Sequence, residues 1–520
     1  MSKFISYKSY LKLKELANNP IDLTDESIYT KKRIEDFKIE NMNIKYLYSS
    51  QRVNEDVINQ LNSLAKDSDA IDKMKDMQNG KIVNYIENFK SEERAVLHTA
   101  LRDIFENRNE ETEAKKASDL AYLEIQKLEK FINENDDKFE NIIQIGIGGS
   151  FLGPKALVHA MSAYQKEDKN IYFISNVDPD EALNILSKVD LTKSLFITVS
   201  KSGTTIETLT NEEFVKNALI KKGLNPKDHM IAVTAKDSKM DDKSKYLESF
   251  YIWDYIGGRY SATSMVGGVV LSFAIGFDKY IEILKGANSM DKIALDTNIE
   301  KNLPLFSALI GIWNRNFLNY NSISVIPYSH FLLYFPTHLQ QLDMESNGKS
   351  ITKDGKEVDF KTGPLVFGDI GTNAQHSYFQ LLHQGTDIVP IEFIGFKNSI
   401  YNIDEMVDNT TSQEKLLSNL FAQSIALAKG KKDENLNKNF LGNRVNSILL
   451  LDKLTPYTIG AILAYYEHKI AFQGFLWDIN SFDQEGVQLG KKLSNQILDI
   501  YKSKDKSSFD LGSAYLNQLK

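Results

Sequence analysis

A loop rich in hydroxyl groups is the most distinctive chemical feature of this chain. Its polar members, which follow the apolar run at 195–199, are Ser200, Lys201, Ser202 and Thr205. Hydroxyl groups and one ammonium group together suit a phosphate monoester, which carries about −1.5 to −2 charge and several acceptor oxygens. Thr204 and Glu207 also fit a capping box, which would explain part of the loop without a ligand. Capping leaves the first three residues of the loop unexplained, so we expect a phosphate site here.

A glycine-rich turn after the apolar run at 141–145 offers a second place for an anion. The turn contains Gly149 and Ser150, and Pro154 stands where the first turn of a helix would lie. Glycines there allow backbone N–H groups to approach an anion at the positive end of a helix. The dinucleotide-binding pattern is incomplete because Phe151 replaces its third glycine, and the lysine motif of a P-loop does not follow. The turn is therefore an anion site or a tight connection without a ligand.

Two further motifs supply a cation and a carboxylate. Arg259 follows a Gly-Gly turn, where a guanidinium would suit a forming oxyanion, although an arginine paired with a structural carboxylate would look the same. Gln341 and Glu345 are i and i+4 neighbours on one predicted helix face that ends at an Asn-Gly turn. A lone glutamate at a helix end is usually solvated, so Glu345 would act as a base only in a partly dry pocket.

Histidine and lysine side chains in two later motifs could exchange protons with a ligand. His376 is expected in the first turn of a helix that starts near Asn373, where the helix N-terminus disfavours imidazolium. Gln484, Gln488 and Lys491 are spaced i, i+4 and i+7, so they are expected to share one helix face. A structural histidine and a simple helix cap at Gln484 are the plainer alternatives. The sequence shows no obvious set of metal ligands.

The elements that must position these motifs follow an α/β rhythm from about Leu120. Short apolar runs alternate with helical patterns, and continuous apolar runs are typical of parallel strands covered on both faces. We therefore expect an α/β fold class with two doubly wound lobes and parallel-rich sheets. The expected strands are 141–145, 171–174, 195–199, 230–234, 249–253, 322–326, 364–367 and 388–393. Residues before about Lys116 have a charged, helical pattern, and the last residues are expected to form a tail.

The composition excludes several classes of protein. A chain of 520 residues with 42% hydrophobic and 25% charged residues is neither a single small module nor a disordered chain. Its 62 basic and 70 acidic residues give a net charge of −8, which offers no electrostatic footprint for nucleic acid. The absence of cysteine excludes disulfides and thiolate chemistry. The longest nearly apolar stretch, 265–277, is shorter than the ~20 residues of a membrane span, so we expect a cytoplasmic protein without membrane contact.

Six motifs, in their order along the chain, resemble those of the phosphoglucose isomerase family from about Glu93 to about Leu493. They are Gly-Gly-Ser, Ser-Lys-Ser-Gly-Thr-Thr, Gly-Gly-Arg-Tyr-Ser, Asp-Met-Glu-Ser-Asn-Gly-Lys, Gly-Thr-Asn-x-Gln-His and Phe-Asp-Gln-x-Gly-Val. The resemblance implies a homodimer with shared active sites and two sugar-isomerase-type (SIS) domains. The domain boundaries expected from it are 1–118 for an N-terminal helical segment, 119–288 and 289–496 for the two domains, and 497–520 for the tail.

The same resemblance implies roles for individual residues. Glu345 would move a proton between C2 and C1 of an open-chain sugar phosphate, and Arg259 would stabilise the cis-enediolate. Lys491 and His376, the latter from the neighbouring subunit, would open and close the sugar ring. The implied substrate-binding residues are Gly149, Ser150, Ser200, Lys201, Ser202, Thr205, Gln341 and Gln484.

The leading hypothesis is therefore an isomerase that interconverts glucose 6-phosphate and fructose 6-phosphate, a reaction that needs no metal or organic cofactor. The alternative is a non-catalytic sugar-phosphate sensor on the same fold, which would keep the serine-rich loop and dispense with the base. A nucleotide-dependent oxidoreductase is disfavoured by the incomplete glycine pattern. One departure from the family pattern concerns Lys491, because Gln488 stands where a glutamate is usual.

Overall fold

The computed structural model describes residues 2–106, 108–503 and 509–519. Residues 1–481 form one compact unit and residues 482–520 a second. The helices of the first unit are α1 Lys3–Ser6, α2 Lys8–Leu16, α3 Lys31–Asp36, α4 Glu55–Asp67, α5 Ala70–Gln78, α6 Thr112–Asn135, α7 Leu152–Ala160, α8 Pro179–Leu186, α9 Ile206–Lys221, α10 Met265–Ile275, α11 Phe277–Ile293, α12 Leu303–Ile312, α13 Phe335–Asn347, α14 Gly371–Gln375, α15 Phe379–Gln384, α16 Ser412–Lys429 and α17 Pro456–Trp477. Those of the second unit are α18 Gln488–Ser503 and α19 Asp510–Leu516.

The strands of the described residues all lie in the first unit. They are β1 Lys38–Asn41, β2 Ile44–Leu47, β3 Ile82–Asn84, β4 Arg94–Ala95, β5 Asn141–Ile145, β6 Asn170–Ile174, β7 Ser194–Val199, β8 Met230–Thr234, β9 Ser249–Tyr251, β10 Ser322–Pro327, β11 Leu365–Phe367, β12 Ile391–Phe396, β13 Met406–Val407, β14 Thr410–Thr411 and β15 Asn446–Leu451. The predicted α/β class with parallel-rich sheets is confirmed. The domain boundaries at 118, 288 and 496 stay predictions.

The first sheet is entirely parallel and has the strand order β6-β5-β7-β8-β9. Its central strands β5, β7 and β8 are buried along their whole length, which explains their continuous apolar sequences. The chain leaves β5 toward one edge of the sheet and leaves β7 toward the other. The order therefore reverses between β5 and β7, and the crevice at the carboxyl ends of such strands is where open α/β sheets bind ligands.

The second sheet has the order β1-β2-β15-β12-β10-β11. Strands β15, β12, β10 and β11 are parallel, whereas the hairpin β1–β2 joins β15 in antiparallel orientation. The expectation of a helical N-terminal segment was therefore wrong at 38–47, and β15 was not among the expected strands. The hairpin turns at Met42 and Asn43, which both have positive φ, and its alternating Ile44 and Tyr46 are buried.

A second correction to the N-terminal prediction concerns residues 93–102, which lie within the segment that was expected to be helical. The structure has the short strand β4 and a 3-10 turn at Thr99–Arg102. The turn is completely buried, and Arg102 binds two carboxylates from α11 and α17 there. Tertiary contacts therefore override the local helical pattern.

Helix α17 is the central support of the fold behind the candidate site. It is buried on nearly every side and packs against α11 at very short distance. A Cβ added to Gly286 would lie 1.8 Å from the carbonyl oxygen of Tyr457, and one added to Gly460 would lie 1.9 Å from that of Ile283. Only glycine permits this approach. Helix α13, which carries Glu345, also packs against α17.

Candidate active site

The hydroxyl-rich loop lies at the carboxyl end of β7, where α9 begins. Gly203 adopts positive φ, and the Ser200 and Thr205 hydroxyl oxygens are 3.0 Å apart across the turn. Thr204 Oγ1 donates to Ser202 Oγ at 2.8 Å. The predicted capping box at Thr204 is wrong, because Thr205 occupies the N-cap position and its side chain makes no capping bond. The loop hydroxyls are therefore held by one another at the entrance to α9.

Lys201 points its ammonium group back toward the segment before Arg259. Its Nζ donates to the carbonyl oxygen of Ile256 at 3.0 Å. Burial, followed by the nearby Arg94 cation, lowers the pKa of Lys201. A lysine that is partly dry and bound to a neutral carbonyl oxygen retains attraction for an anion.

The glycine-rich turn lies at the carboxyl end of the neighbouring strand β5. A 3-10 turn at Gly148–Ser150 leads into α7, and Gln144 Nε2 donates to the carbonyl oxygen of Ser150 at 2.7 Å. A Cβ added to Gly149 would lie 2.2 Å from the carbonyl carbon and oxygen of Gly258. Gly149 is thus required so that this turn can approach the turn that carries Arg259.

Arg259 lies in a 3-10 turn at Gly258–Tyr260, after β9, and is buried together with Tyr260. Its Nε donates to Ser346 Oγ at 2.7 Å, and its Nη2 donates to the carbonyl oxygen of Ser481 at 2.6 Å. Its Nη1 lies 3.4 Å from Glu345 Oε2. The guanidinium is therefore fixed by groups from separate parts of the chain, with one edge directed at the carboxylate.

Glu345 is close to the C-terminal end of α13, as predicted. The helix begins at Phe335, and Pro336 suits its first turn. Gln341 Nε2 donates to Glu345 Oε2 at 3.1 Å, which confirms the i and i+4 relation. The Glu345 side chain is 18% exposed, and Gln341 Oε1 is buried with no hydrogen-bond partner among the described residues. The carboxylate is partly dry yet reachable, as a base must be.

His376 does not have the local structure that was predicted for it. Helix α14 covers only Gly371–Gln375, and His376 follows its end instead of lying in the first turn of a longer helix. The argument from a helix N-terminus is therefore wrong. The His376 side chain is exposed, and no hydrogen bond or ion pair within residues 2–106, 108–503 and 509–519 connects it to Arg259 or Glu345.

Gln484 and Lys491 belong to the second unit. Gln484 precedes a 3-10 turn at Glu485–Val487, and Lys491 lies exposed in the first turn of α18. Gln488 and Lys491 share the regular α-helix, whereas Gln484 lies before it. The predicted common helix face therefore does not extend to Gln484.

Sequence reasoning missed three groups around Arg259. Ser346 and Ser481 accept its hydrogen bonds, and Tyr260 approaches Ser346 Oγ at 3.2 Å. Ser346 directly follows Glu345, but nothing in the spacing of the sequence brings it to Arg259. The Gly-Gly pair before Arg259 was the available signal, since two small residues indicate close approach of another segment.

The described residues contain no group of three or more His, Asp or Glu side chains arranged to hold a metal ion. No helix within them is long and apolar enough to cross a bilayer. The structure brings together a hydroxyl-rich loop, a glycine turn and a carboxylate that faces a guanidinium. That arrangement suits general acid–base chemistry on a small phosphorylated molecule.

The fold first defines the class of protein. The structure superimposes on the crystal structure of a glucose-6-phosphate isomerase from Chlamydia trachomatis D/UW-3/Cx with a TM-score of 0.97, at 48% identity over 99% of this chain and 100% of that one. It also resembles a hypothetical protein from Thermus thermophilus, with a TM-score of 0.64 at 27% identity over 77% of this chain and 94% of that one. The architecture is that of an α/β sugar-phosphate isomerase.

Sequence comparisons then define the family. The phosphoglucose isomerase family model matches residues 47–516, a wider span than the motifs alone indicated. A glucose-6-phosphate isomerase from Protochlamydia amoebophila is 51% identical over 100% of this chain and 97% of its own length. A second, from Chlamydia caviae, is 53% identical over 97% of this chain and 95% of its own length. The chain belongs to the phosphoglucose isomerase family.

Proposed function

We propose that this chain interconverts glucose 6-phosphate and fructose 6-phosphate by ring opening and proton transfer through a cis-enediolate. The observation that carries the proposal is the pairing of a partly dry carboxylate, Glu345, with the fixed guanidinium of Arg259 at 3.4 Å. Full-length relatives named glucose-6-phosphate isomerase support the same activity.

Moving a carbonyl group from C1 to C2 requires a base beside a C–H bond. Glu345 takes the proton from C2 of the open-chain aldose and returns it to C1, so that the carboxylate is regenerated in each cycle. General acid–base catalysis of this kind contributes about 10²–10⁴-fold to the rate. Gln341, which donates to the same carboxylate oxygen, keeps the carboxylate directed into the crevice.

Arg259 stabilises the negative charge that develops on the enediolate oxygens. A positioned donor at such a site is worth about 3–4 kcal/mol, because it acts where water is excluded and needs no reorganisation. The guanidinium is nearly completely buried, and its Nε and Nη2 bind neutral acceptors. The edge that carries Nη1 faces Glu345, so an oxyanion that forms beside the base meets the cation there.

The hydroxyl-rich loop holds the phosphate group of the substrate. Ser200, Lys201, Ser202 and Thr205 supply hydroxyl groups and one ammonium group, and Ser150 with Gly149 supplies the neighbouring turn. Binding energy from this group, which takes no part in the reaction, orients C1 and C2 at the base. Because β5 and β7 flank the point of strand-order reversal, the phosphate occupies the usual ligand crevice of the sheet.

Ring opening and closure need a proton exchanger at the ring oxygen, which we assign to His376 and Lys491. Gln484 contacts the substrate. His376 is exposed and unconnected to the Arg259–Glu345 pair in the described part of this chain, which supports a homodimer in which each histidine serves the site of the other subunit. We place this enzyme in the cytoplasm.

The experiment that tests this function follows glucose 6-phosphate in deuterated water by NMR, without added metal or nucleotide. Wild type should form fructose 6-phosphate and introduce deuterium at its C1, and the reverse reaction should introduce deuterium at C2 of glucose 6-phosphate. Glu345→Gln should lose both activities and still bind the sugar phosphate by calorimetry. The control Glu282→Gln removes an exposed glutamate from α11 and should behave as wild type. Binding without isomerisation by the wild type would favour the sensor alternative instead.

A further inference from the structure

The hydroxyl of Ser346 stands between two consecutive residues of the turn that carries the catalytic guanidinium. Ser346 Oγ accepts from Arg259 Nε at 2.7 Å and lies 3.2 Å from the phenol oxygen of Tyr260. Ser346 is completely buried, and it is separated from Arg259 by 87 positions in the chain. A hydroxyl oxygen has two lone pairs and can accept from both neighbours at once.

Because the guanidinium is planar, the contact with Ser346 helps to fix the orientation of the whole group. Ser346 holds Nε and the carbonyl oxygen of Ser481 holds Nη2, so the direction of Nη1 is determined as well. Ser481 is itself anchored, because its Oγ donates to Asn347 Oδ1 at 2.7 Å. Helix α13 therefore supplies both the base and, through Ser346 and Asn347, the supports of the cation that faces it.

The distance between cation and base is longer than that of a relaxed ion pair. A guanidinium free to move would close on a carboxylate to about 2.7–2.9 Å, with two parallel hydrogen bonds. Nη1 of Arg259 stays 3.4 Å from Glu345 Oε2. A closed pair would occupy the carboxylate lone pairs that must accept the substrate proton and the N–H groups that must meet the enediolate.

We propose that Ser346 and Tyr260 are positioning residues that hold the Arg259 guanidinium in place beside Glu345 and prevent the two from closing into a tight ion pair. This inference rests on the proposed function, because it concerns how the base and the oxyanion donor of that reaction are kept apart. We call the two residues the guanidinium clamp.

The ring of His98 packs against the Tyr260 side of the clamp. The imidazole of His98 packs on the ring of Tyr260 with centroids 4.7 Å apart and an interplanar angle of 30°. Burial raises the pKa of Tyr260 to about 12, so the phenol keeps its proton and can donate to Ser346. Burial and the nearby Arg102 cation hold the pKa of His98 well below its usual range, so a neutral imidazole fills this space.

Several other ionisable groups lie near the clamp. Asp343, on α13, and Glu467, on α17, act electrostatically on Tyr260, and His468 lies beyond His98 with ring centroids 6.3 Å apart. None of these replaces the hydroxyl of Ser346 as the acceptor for Arg259 Nε. Removing that hydroxyl leaves a buried N–H, and the carboxylate of Glu345 is an acceptor already close to the same guanidinium.

The test compares Ser346→Ala with Ser272→Ala, which removes a buried hydroxyl from α10 that has no hydrogen-bond partner among the described residues. Ser346→Ala should lower kcat by about 10–100-fold with KM within about 3-fold, because misplacing a catalytic group by about 1 Å can cost 10²-fold. Tyr260→Phe should lower kcat in the same way but by less.

A double-variant experiment separates positioning from simple structural support. In an Arg259→Lys background, Ser346→Ala should have little further effect on kcat, since the guanidinium that it positions has gone. An undiminished loss in that background, or a kcat for Ser346→Ala equal to that of Ser272→Ala, would overturn the clamp while leaving the isomerase activity intact. Failure of the wild type to isomerise would instead reject the proposed function and the clamp with it. Circular dichroism and thermal unfolding should show that each variant is folded.

Discussion

Two arginines of the first unit use the same chemical group in opposite ways. Arg102 makes two hydrogen bonds to Asp291, at 2.8 and 2.6 Å, and one to Glu467 at 2.7 Å, with all three side chains fully buried. Arg259 directs two of its nitrogens at neutral oxygens and keeps the third 3.4 Å from a carboxylate that is 18% exposed. We call Arg102, Asp291 and Glu467 the closed cluster, because the cation binds its carboxylates directly. We call Arg259 and Glu345 the open cluster, because the cation stays farther from its carboxylate.

The difference between these clusters shows what a reactive ion pair requires. Burial opposes ionisation of Asp291, but Arg102 and His468 together hold its pKa well below the usual range, so it exchanges no proton near neutral pH. Both carboxylates of the closed cluster are bound directly to the guanidinium. Around Arg259, neutral oxygens of Ser346 and Ser481 accept hydrogen bonds from the guanidinium, an arrangement that suits the base we propose at Glu345.

The largest expected effect comes from breaking the closed cluster. Arg102→Met leaves Asp291 and Glu467 buried without their cation, which should lower the free energy of unfolding by about 3–5 kcal/mol. Urea unfolding measures the change. Lys285→Met is the control, because it breaks an exposed pair with Glu282 and should cost less than about 1 kcal/mol. Similar small shifts in both variants would contradict the structural role of the closed cluster.

A substitution in the open cluster should lower the rate of catalysis rather than the stability of the fold. Arg259→Lys keeps the charge but loses the planar fork, so kcat should fall by about 10²–10³-fold, or about 3–4 kcal/mol of transition-state stabilisation. Its thermal midpoint should stay close to that of wild type. Steady-state kinetics and thermal unfolding of the same sample distinguish the two effects. A loss of stability as large as that of Arg102→Met, with kcat unchanged, would remove the contrast between the clusters.

Asp343 tests a third arrangement, a buried carboxylate without an ion pair among the described residues. Burial raises its pKa from 3.8 to about 6 in the folded protein. The protonated form is thus favoured on folding, and its contribution to stability is complete below about pH 4 and is lost as pH rises through about 6. Asp343→Asn should therefore gain up to about 3 kcal/mol over wild type between about pH 4.5 and 7.5. A pH-independent difference in urea midpoint would contradict this.

The smallest expected effect concerns the hydroxyl-rich loop, which under the proposed function binds the phosphate group rather than the reacting atoms. Lys201→Met should raise KM by about 10–100-fold with kcat within a few-fold, because a charge-assisted bond to phosphate is lost. Lys222→Met removes an exposed cation at the far end of α9 and should leave KM unchanged. Equal KM values for the two variants would show that Lys201 does not bind the phosphate.

Much of the fold could be read from local pattern. The strands at 141–145 and 230–234 agree with the structure residue for residue, because buried parallel strands are continuous apolar runs bounded by turns. The hairpin at 38–47 could not be read in this way. Each of its strands has four residues, and the pairing of Leu47 with Ile448 joins segments that are far apart in the chain.

Local spacing also predicted one part of the candidate site correctly and another part wrongly. The residue types and their local spacing predicted Glu345 with Gln341 on one helix face, since a helix places i and i+4 together. The same kind of reasoning was wrong for His376, because α14 begins at Gly371 and ends before the histidine. Because the helix is short, a shift of a few residues in its boundaries moves His376 from the first turn to a position after the last turn.

The sequence by itself determined the chemical groups that the chain carries: the hydroxyl-rich loop, the glycine turn, the carboxylate of Glu345 and the arginine, each within one short segment. Only the tertiary structure decided how that chemistry is arranged. Ser346 and Ser481 meet Arg259 across 87 and 222 positions of the chain. Such contacts depend on how α13 and the segment after α17 pack together, and packing between distant segments leaves no periodic signal in the sequence.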